Sequence, residues 1–196
     1  MRFEEDILWS EGLFLQPHHL QEMQRNFGSL MRTERSFSLP YAYGLVDLEL
    51  NEDALSASRV IIKRLSAIMP SGIEVSLPGN MTISQMDLQN EIQAHASSFT
   101  IFLAVPSWSE FDANLADNDG VAAKRIFLGH ESTLRDENTG DNEIVIVKRR
   151  INARLTTEPR DNTDLELLPL CKVEVHYRDL SEPQLTLDAS YIPPFM

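Results

Sequence analysis

Five histidines, one cysteine and thirty carboxylates are the residues of this chain that could do chemistry, and their spacing assigns them no reaction. His18 and His19 are adjacent. On a helix, neighbours point about 100° apart, so the two cannot easily share one ion. His18 and Glu22 stand at i and i+4, yet two ligands do not make a zinc site. One histidine of the pair reads as solvated and the other as hydrogen-bonded at a helix start. His95, His130 and His176 fall in no His-Glu-x-x-His, Cys-x-x-Cys or EF-hand pattern. Cys171 lies in Leu170-Cys171-Lys172-Val173-Glu174-Val175, an alternating stretch where it takes the apolar face. With no base nearby it reads as a small buried hydrophobe rather than a nucleophile. As the only cysteine it excludes an internal disulfide and fits a reducing compartment.

Phosphate chemistry has no foothold either. The eight glycines form neither Gly-x-Gly-x-x-Gly nor Gly-x-x-x-x-Gly-Lys, and no Gly-x-Ser-x-Gly elbow exists. The acids cluster in predicted loops, where solvated carboxylates sit, and no glycosidase-like pair can be chosen among them. Lys148-Arg149-Arg150, with Arg154, reads as a charged strand face or edge rather than a phosphate reader. No catalytic residue, cofactor or metal ligand is expected, so the chain reads as a non-enzyme.

Charge narrows the partners. A formal charge of −13 repels phosphate backbones and anionic bilayers, which argues against nucleic acid. Nine acids against three bases between Glu110 and Glu143 make a solvated acidic loop or, alternatively, a steering surface for a basic partner. The start, Met1-Arg2-Phe3-Glu4-Glu5-Asp6, lacks the positive charge of a signal peptide, and no stretch reaches the roughly 20 apolar residues needed to span a bilayer. The expectation is a cytoplasmic protein that does not insert into membranes.

The positioning elements follow from periodicity. From Pro17 to about Arg35, Leu20, Met23, Phe27, Leu30 and Met31 fall on one helical stripe. Pro17 suits the first turn, where its missing N–H has no partner to lose. Beyond Pro40 the period becomes two. Val46, Leu48 and Leu50 alternate with Asp47 and Glu49, and further strands are predicted at 60–62, 73–77, 99–105, 125–128, 144–155, 170–177 and 185–187. The 99–105 strand is apolar on both faces and should be central. Turns are predicted at 51–53, 70–72, 78–80, 117–120 and 138–141, and a short helix over 87–96 with Leu88 and Ile92 at spacing four. Many short strands and one leading helix predict a mainly β protein, an antiparallel β-sandwich with one leading amphipathic helix. A sandwich alone would also suit a carbohydrate- or peptide-binding module, for which Trp108 with Phe111 is the sole hint.

The opening segment stands apart: Trp9-Ser10-Glu11-Gly12-Leu13-Phe14-Leu15-Gln16-Pro17-His18-His19-Leu20-Gln21. Trp9, Leu13, Phe14 and Leu15 concentrate apolar surface in a stretch too short to be an independent core element. They either tuck under the sandwich as a plug or anchor a subunit or partner interface.

Trp9, Glu11, Gly12, Leu13, Phe14, Leu15, Pro17, His19, Leu20 and Gln21, at these spacings, closely resemble the N-terminal signature of the TssK family, also called ImpJ or VasE. Pro70-Ser71-Gly72 with Leu77-Pro78 resembles the family's Pro-Asp-Gly turn and downstream proline, though Ser71 stands where aspartate is expected. Tyr191-Ile192-Pro193-Pro194 resembles the motif closing the family's first domain. The resemblance implies a structural adaptor of the type VI secretion baseplate. It implies a β-sandwich shoulder like that of phage receptor-binding proteins, assembly as a homotrimer, and docking on the TssF–TssG wedge. A C-terminal head, absent here, would reach the TssL–TssM membrane complex. On this reading residues 1–38 are a leader and helix packed on the sandwich, 39–192 the shoulder, and 193–196 the start of a linker to neck and head.

Overall fold

The computed structural model describes residues 5–94, 97–116, 124–157, 164–177 and 183–196, in two compact units, Met1–Ala42 and Tyr43–Met196. In the first unit a leader precedes helix α1 (Pro17–Ser38), in which Pro17 takes the first helical position. The helix runs past the predicted end at Arg35 and stops where Pro40 disfavours helical backbone at the residue before it. Leu39 there is extended (φ −130°, ψ 125°) and its N–H closes the last turn on the Arg35 carbonyl.

The second unit is the β-rich one. Its elements are β1 (Gly44–Leu50), α2 (Glu52–Ser56), β2 (Arg59–Val60), β3 (Ile62–Ile68), β4 (Glu74–Leu77), β5 (Met81–Thr82), β6 (Met86–Asp87), α3 (Gln89–Ala94), β7 (Ser98–Pro106), β8 (Leu115–Ala116), β9 (Phe127–Leu134), β10 (Ile144–Asn152), β11 (Arg154–Thr156), β12 (Leu165–Tyr177) and β13 (Pro183–Leu187). They form sheets ordered β1-β3-β4, β5-β10-β9-β8 and β11-β7-β12-β13, with a small β2-β6 pair. The long ladders are antiparallel, and the short β5–β10 and β8–β9 pairs are parallel. This is the expected antiparallel sandwich. Leu45, Leu65, Met69 and Val75 of the first sheet and its turns pack with Leu103, Val105, Leu168 and Leu170 of the third. A second cluster lies under α2 and α3, where Leu55, Leu88 and Ile92 meet Phe99, Ile101, Val173 and Val175. Strand β7 is central, as its two apolar faces required: it pairs with β11 on one side and β12 on the other.

Several local expectations need correction. The period-two reading turned Val46, Leu48 and Leu50 inward, but Leu45 is buried and Val46 is exposed. A bulge between Leu45 and Asp47 shifts the register and flips the strand's start. The predicted turn at Asn51-Glu52-Asp53 opens helix α2 instead. Two acids in its first turn suit the positive helix end, and Ala54 and Leu55 draw it onto the core. The single strand predicted over 144–155 breaks at Ala153 into β10 and β11, and β9 continues past Leu128 to Leu134. Strand β12 starts at Leu165, before the predicted Leu170, with Pro169 next to a bulge in the β7 ladder. A proline is tolerable there because β13 pairs only from Val173 onward. Helix α3 starts at Gln89 rather than at the predicted Asp87, and its expected last residues 95–96, like the turn at 117–120, lie outside the described residues.

The predicted turn at 70–72 joins β3 to β4. Gly72 is in the left-handed region (φ 84°) and donates its N–H to the Met69 carbonyl at 2.7 Å. Pro70 at the first central position and glycine at the left-handed one is the pattern of a three-residue hairpin loop. A carboxylate does reach this turn, from Glu166 rather than from position 71: the Ser71 N–H donates to Glu166 Oε2 at 3.1 Å.

Candidate protein-interaction site

The signature residues build a local structure within the first unit. Ser10 to Leu13 forms a turn in which the Leu13 N–H donates to the Ser10 carbonyl (3.2 Å). Gly12 occupies its third position with φ 80°, a conformation that glycine adopts without steric cost. Gln16 then caps α1. His19, three residues on, returns to it: Nδ1 accepts the Gln16 backbone N–H at 3.1 Å. Glutamate or glutamine ordinarily fills this place in a capping box, and here an imidazole nitrogen serves as the acceptor. The His19 ring in turn lies 6.2 Å from the Trp9 ring, tilted by 43°. Farther along the helix Asn26 Nδ2 donates to the Glu5 carbonyl at 2.8 Å, so the leader doubles back beside α1.

Trp9, Gly12, Pro17 and His19 are thus brought together as the parts of one leader–helix hairpin. Of the ten signature residues only His19 is even partly buried. Phe14 is 80 % exposed, and Trp9 and Leu15 are each 53 % exposed. The α1 stripe of Leu20, Met23, Phe27, Leu30 and Met31 is exposed as well, and no residue of the helix is buried. Sequence reasoning did not find Asn26 or the Glu5 carbonyl; a lone asparagine inside a helix carries no signal of a tertiary bond.

The groups that could have carried chemistry have other occupations. Glu22, the proposed companion of His18, forms an ion pair with Arg25. Burial pushes the Cys171 thiol up to about 12, which keeps it a thiol. It lines a cavity of about 10 Å³, together with Leu55, Val60 and Ile101, which has room for roughly one water. Asp188 is held down to about 2 by the Ser190 hydroxyl first, then the Ser190 N–H and the Lys172 ammonium 3.1 Å away. That set ties β12 to the end of β13. His176 Nε2 lies 3.0 Å from Thr186 Oγ1, across the same strand pair. Trp108 and Phe111, the aromatic hint of a carbohydrate site, lie in the loop after β7, where Phe111 is 93 % exposed. Among the described residues no group of three His, Cys, Asp or Glu side chains is placed to share a metal ion, and no helix is long and apolar enough to cross a membrane.

Comparison with known proteins relates the chain to type VI secretion proteins. Type VI secretion baseplate component TssK1 of Pseudomonas aeruginosa is 26 % identical over 80 residues, 41 % of this chain and 18 % of that protein. A chain of the TssK–TssF–TssG baseplate subcomplex, solved by cryo-electron microscopy, superposes over 100 % of this chain and 63 % of its own length (TM-score 0.86, 22 % identity). The crystal structure of TssK superposes over 98 % of this chain and 42 % of its own (TM-score 0.83, 21 % identity). The matched part spans between 18 % and 63 % of the length of these relatives, in each case less than two thirds. Residues 19–196, from the capping histidine onward, match the bacterial type VI secretion family that includes EvfL, ImpJ and VasE. The chain belongs to that family.

Proposed function

We propose that this chain is the shoulder of a type VI secretion baseplate adaptor, a structural part that docks on a TssF–TssG wedge and performs no catalysis. The observation that carries the reading is the exposed apolar surface of the first unit. A capped, tied-down hairpin presents Trp9, Leu13, Phe14 and Leu15 beside a helix with no buried residue. Exposed aromatic clusters on an ordered scaffold are what protein interfaces use as anchors. The similarity to a chain of a TssK–TssF–TssG subcomplex supports the choice of partner. In this reading the protein works at the cytoplasmic side of the secretion complex as a homotrimer. A C-terminal head beyond this chain would contact TssL–TssM.

Co-purification of the chain with TssF–TssG tests it, comparing the wild type with Phe14→Ala and Trp9→Ala and following the melting temperature of each. Loss of an anchor should weaken capture by about 2 kcal/mol, roughly 30-fold, at unchanged melting temperature. A lower melting temperature instead would assign the residue to internal packing, and a wild type that fails to capture the wedge would defeat the proposal.

A further inference from the structure

The acceptor that closes the first turn of α1 is a titratable group. A capping box ordinarily ends on glutamate or glutamine, whose oxygens accept a hydrogen bond throughout the neutral and mildly acidic range. Here the acceptor is His19 Nδ1, 3.1 Å from the Gln16 nitrogen. A backbone N–H can only donate, so Nδ1 carries no proton and the ring is the neutral tautomer with its hydrogen on Nε2. A second proton would occupy the lone pair that Gln16 uses. It would also put a positive charge in the first turn, at the end of the helix dipole that repels cations.

Two of the contacts that hold the leader to α1 run through this one imidazole. The Gln16 bond fixes the direction in which the chain enters the helix, and the Trp9 ring lies 6.2 Å from the His19 ring. A third contact, from Asn26 to the Glu5 carbonyl, involves no titratable group. An imidazolium would gain little in compensation. The Trp9 ring stands just beyond the roughly 6 Å over which a cation and an aromatic face attract. On the helix, Glu22 follows His19 at i+3 but forms an ion pair with Arg25, and exposed His18 would add a second cation. On the leader, Glu5, Asp6 and Glu11 are all exposed, so solvent and salt screen their pull.

We infer that His19 is a proton-operated latch on the leader. Neutral, it holds Trp9, Leu13, Phe14 and Leu15 in fixed places beside α1; protonated, it releases the Gln16 N–H and frees the leader from the helix, which weakens docking on the wedge. This rests on the reading above that the leader docks on TssF–TssG, and names a control on that docking. The sign follows from the bond: the latched state excludes the proton, so it is present at higher pH and lost as the pH falls through the range in which histidines charge.

The test compares the chain at about pH 7.5 and about pH 5.5, on either side of that range. Hydrogen-exchange protection in the first turn of α1 and capture of TssF–TssG are measured at both. In the wild type, protection and capture should each fall between about 2- and 30-fold at the lower pH, the range that loss of a helix cap spans. His19→Gln, which offers an acceptor that does not titrate, should hold both at their higher values. His18→Gln should behave as the wild type. Equal protection at the two pH values in the wild type, or an equal fall in His19→Gln, overturns the inference, as does capture that ignores pH while protection falls. If the wild type captures no wedge at either pH yet its exchange follows the expected pattern, the docking reading falls and the latch stands.

Discussion

The α-carbon of Gly44 faces the carbonyl of Pro194 so closely that an added Cβ would stand 2.7 Å from its oxygen. The next residue, Leu45, donates its N–H to that same oxygen at 2.7 Å, and the Met196 N–H donates back to the Leu45 carbonyl at 3.0 Å. Residues near the two ends of the sandwich unit are therefore stitched in parallel, with Phe195 bridging to Leu45. Gly44 is also at φ 142°, where a side chain is strained whatever the space.

Gly44→Ala should consequently destabilise the unit by about 1–3 kcal/mol, from backbone strain and displacement of the segment at Pro194. Urea unfolding reads this as a lower midpoint. Gly12→Ala, at φ 80° with open space around it, should cost only about 1 kcal/mol, from conformation alone.

His19 is the acceptor that closes the first turn of α1. His19→Ala should loosen that turn by roughly 0.5–2 kcal/mol, seen as faster hydrogen exchange of the amides there. His19→Gln offers an oxygen at the same position and should recover most of the protection. Equal exchange in both variants would show that the cap contributes nothing.

Asp188 supplies an acid-sensitive tie. Its carboxyl sits near 2 when folded, against an ordinary value near 3.9 in the unfolded chain. A depressed carboxyl stabilises the fold above the unfolded value, and that contribution is lost as the pH falls from about 4 toward 2. Asp188→Asn should therefore flatten the acid limb of stability in that window, measured by urea midpoints at successive pH values.

Cys171 should be nearly inert in the folded chain. With the thiol raised from 9.0 to about 12, iodoacetamide at pH 8 should label it on the order of 1000-fold more slowly than in the urea-unfolded chain. As the only cysteine, it gives a direct readout of the opening of β12.

The sandwich was legible in the sequence where apolar patterning ran unbroken, as along β7, whose two-sided apolar run announced a central strand. It was misread where one residue disturbs the phase. Val46 sits at a bulge, and a period-two count cannot see an extra residue. Asn51, Glu52 and Asp53 are turn formers by composition, yet the burial of Leu55 next to them makes a helical turn the better solution. In the leader and α1, Pro17 disclosed its place at the first helical position through residue type alone, whereas the turn that places Gly12 at φ 80° was not read from the sequence. The part played by His19 was half legible, as a histidine bonded at a helix start. Its pairing with Trp9 was not, because contacts across a turn leave no periodic trace.

Strand β12 carries one residue, Leu170, that has no place in the ladder: Pro169 stands opposite Phe102 and Cys171 opposite Ile101. That extra residue decides where the chain can be shortened. Excising Leu170 loses one packed side chain but leaves Cys171 facing Ile101 and Val173 facing Phe99. Excising Lys172 instead would bring Glu174 opposite Phe99 and point a carboxylate into oil. Within one strand, then, a deletion is absorbed at one position and inverts the remainder two positions later.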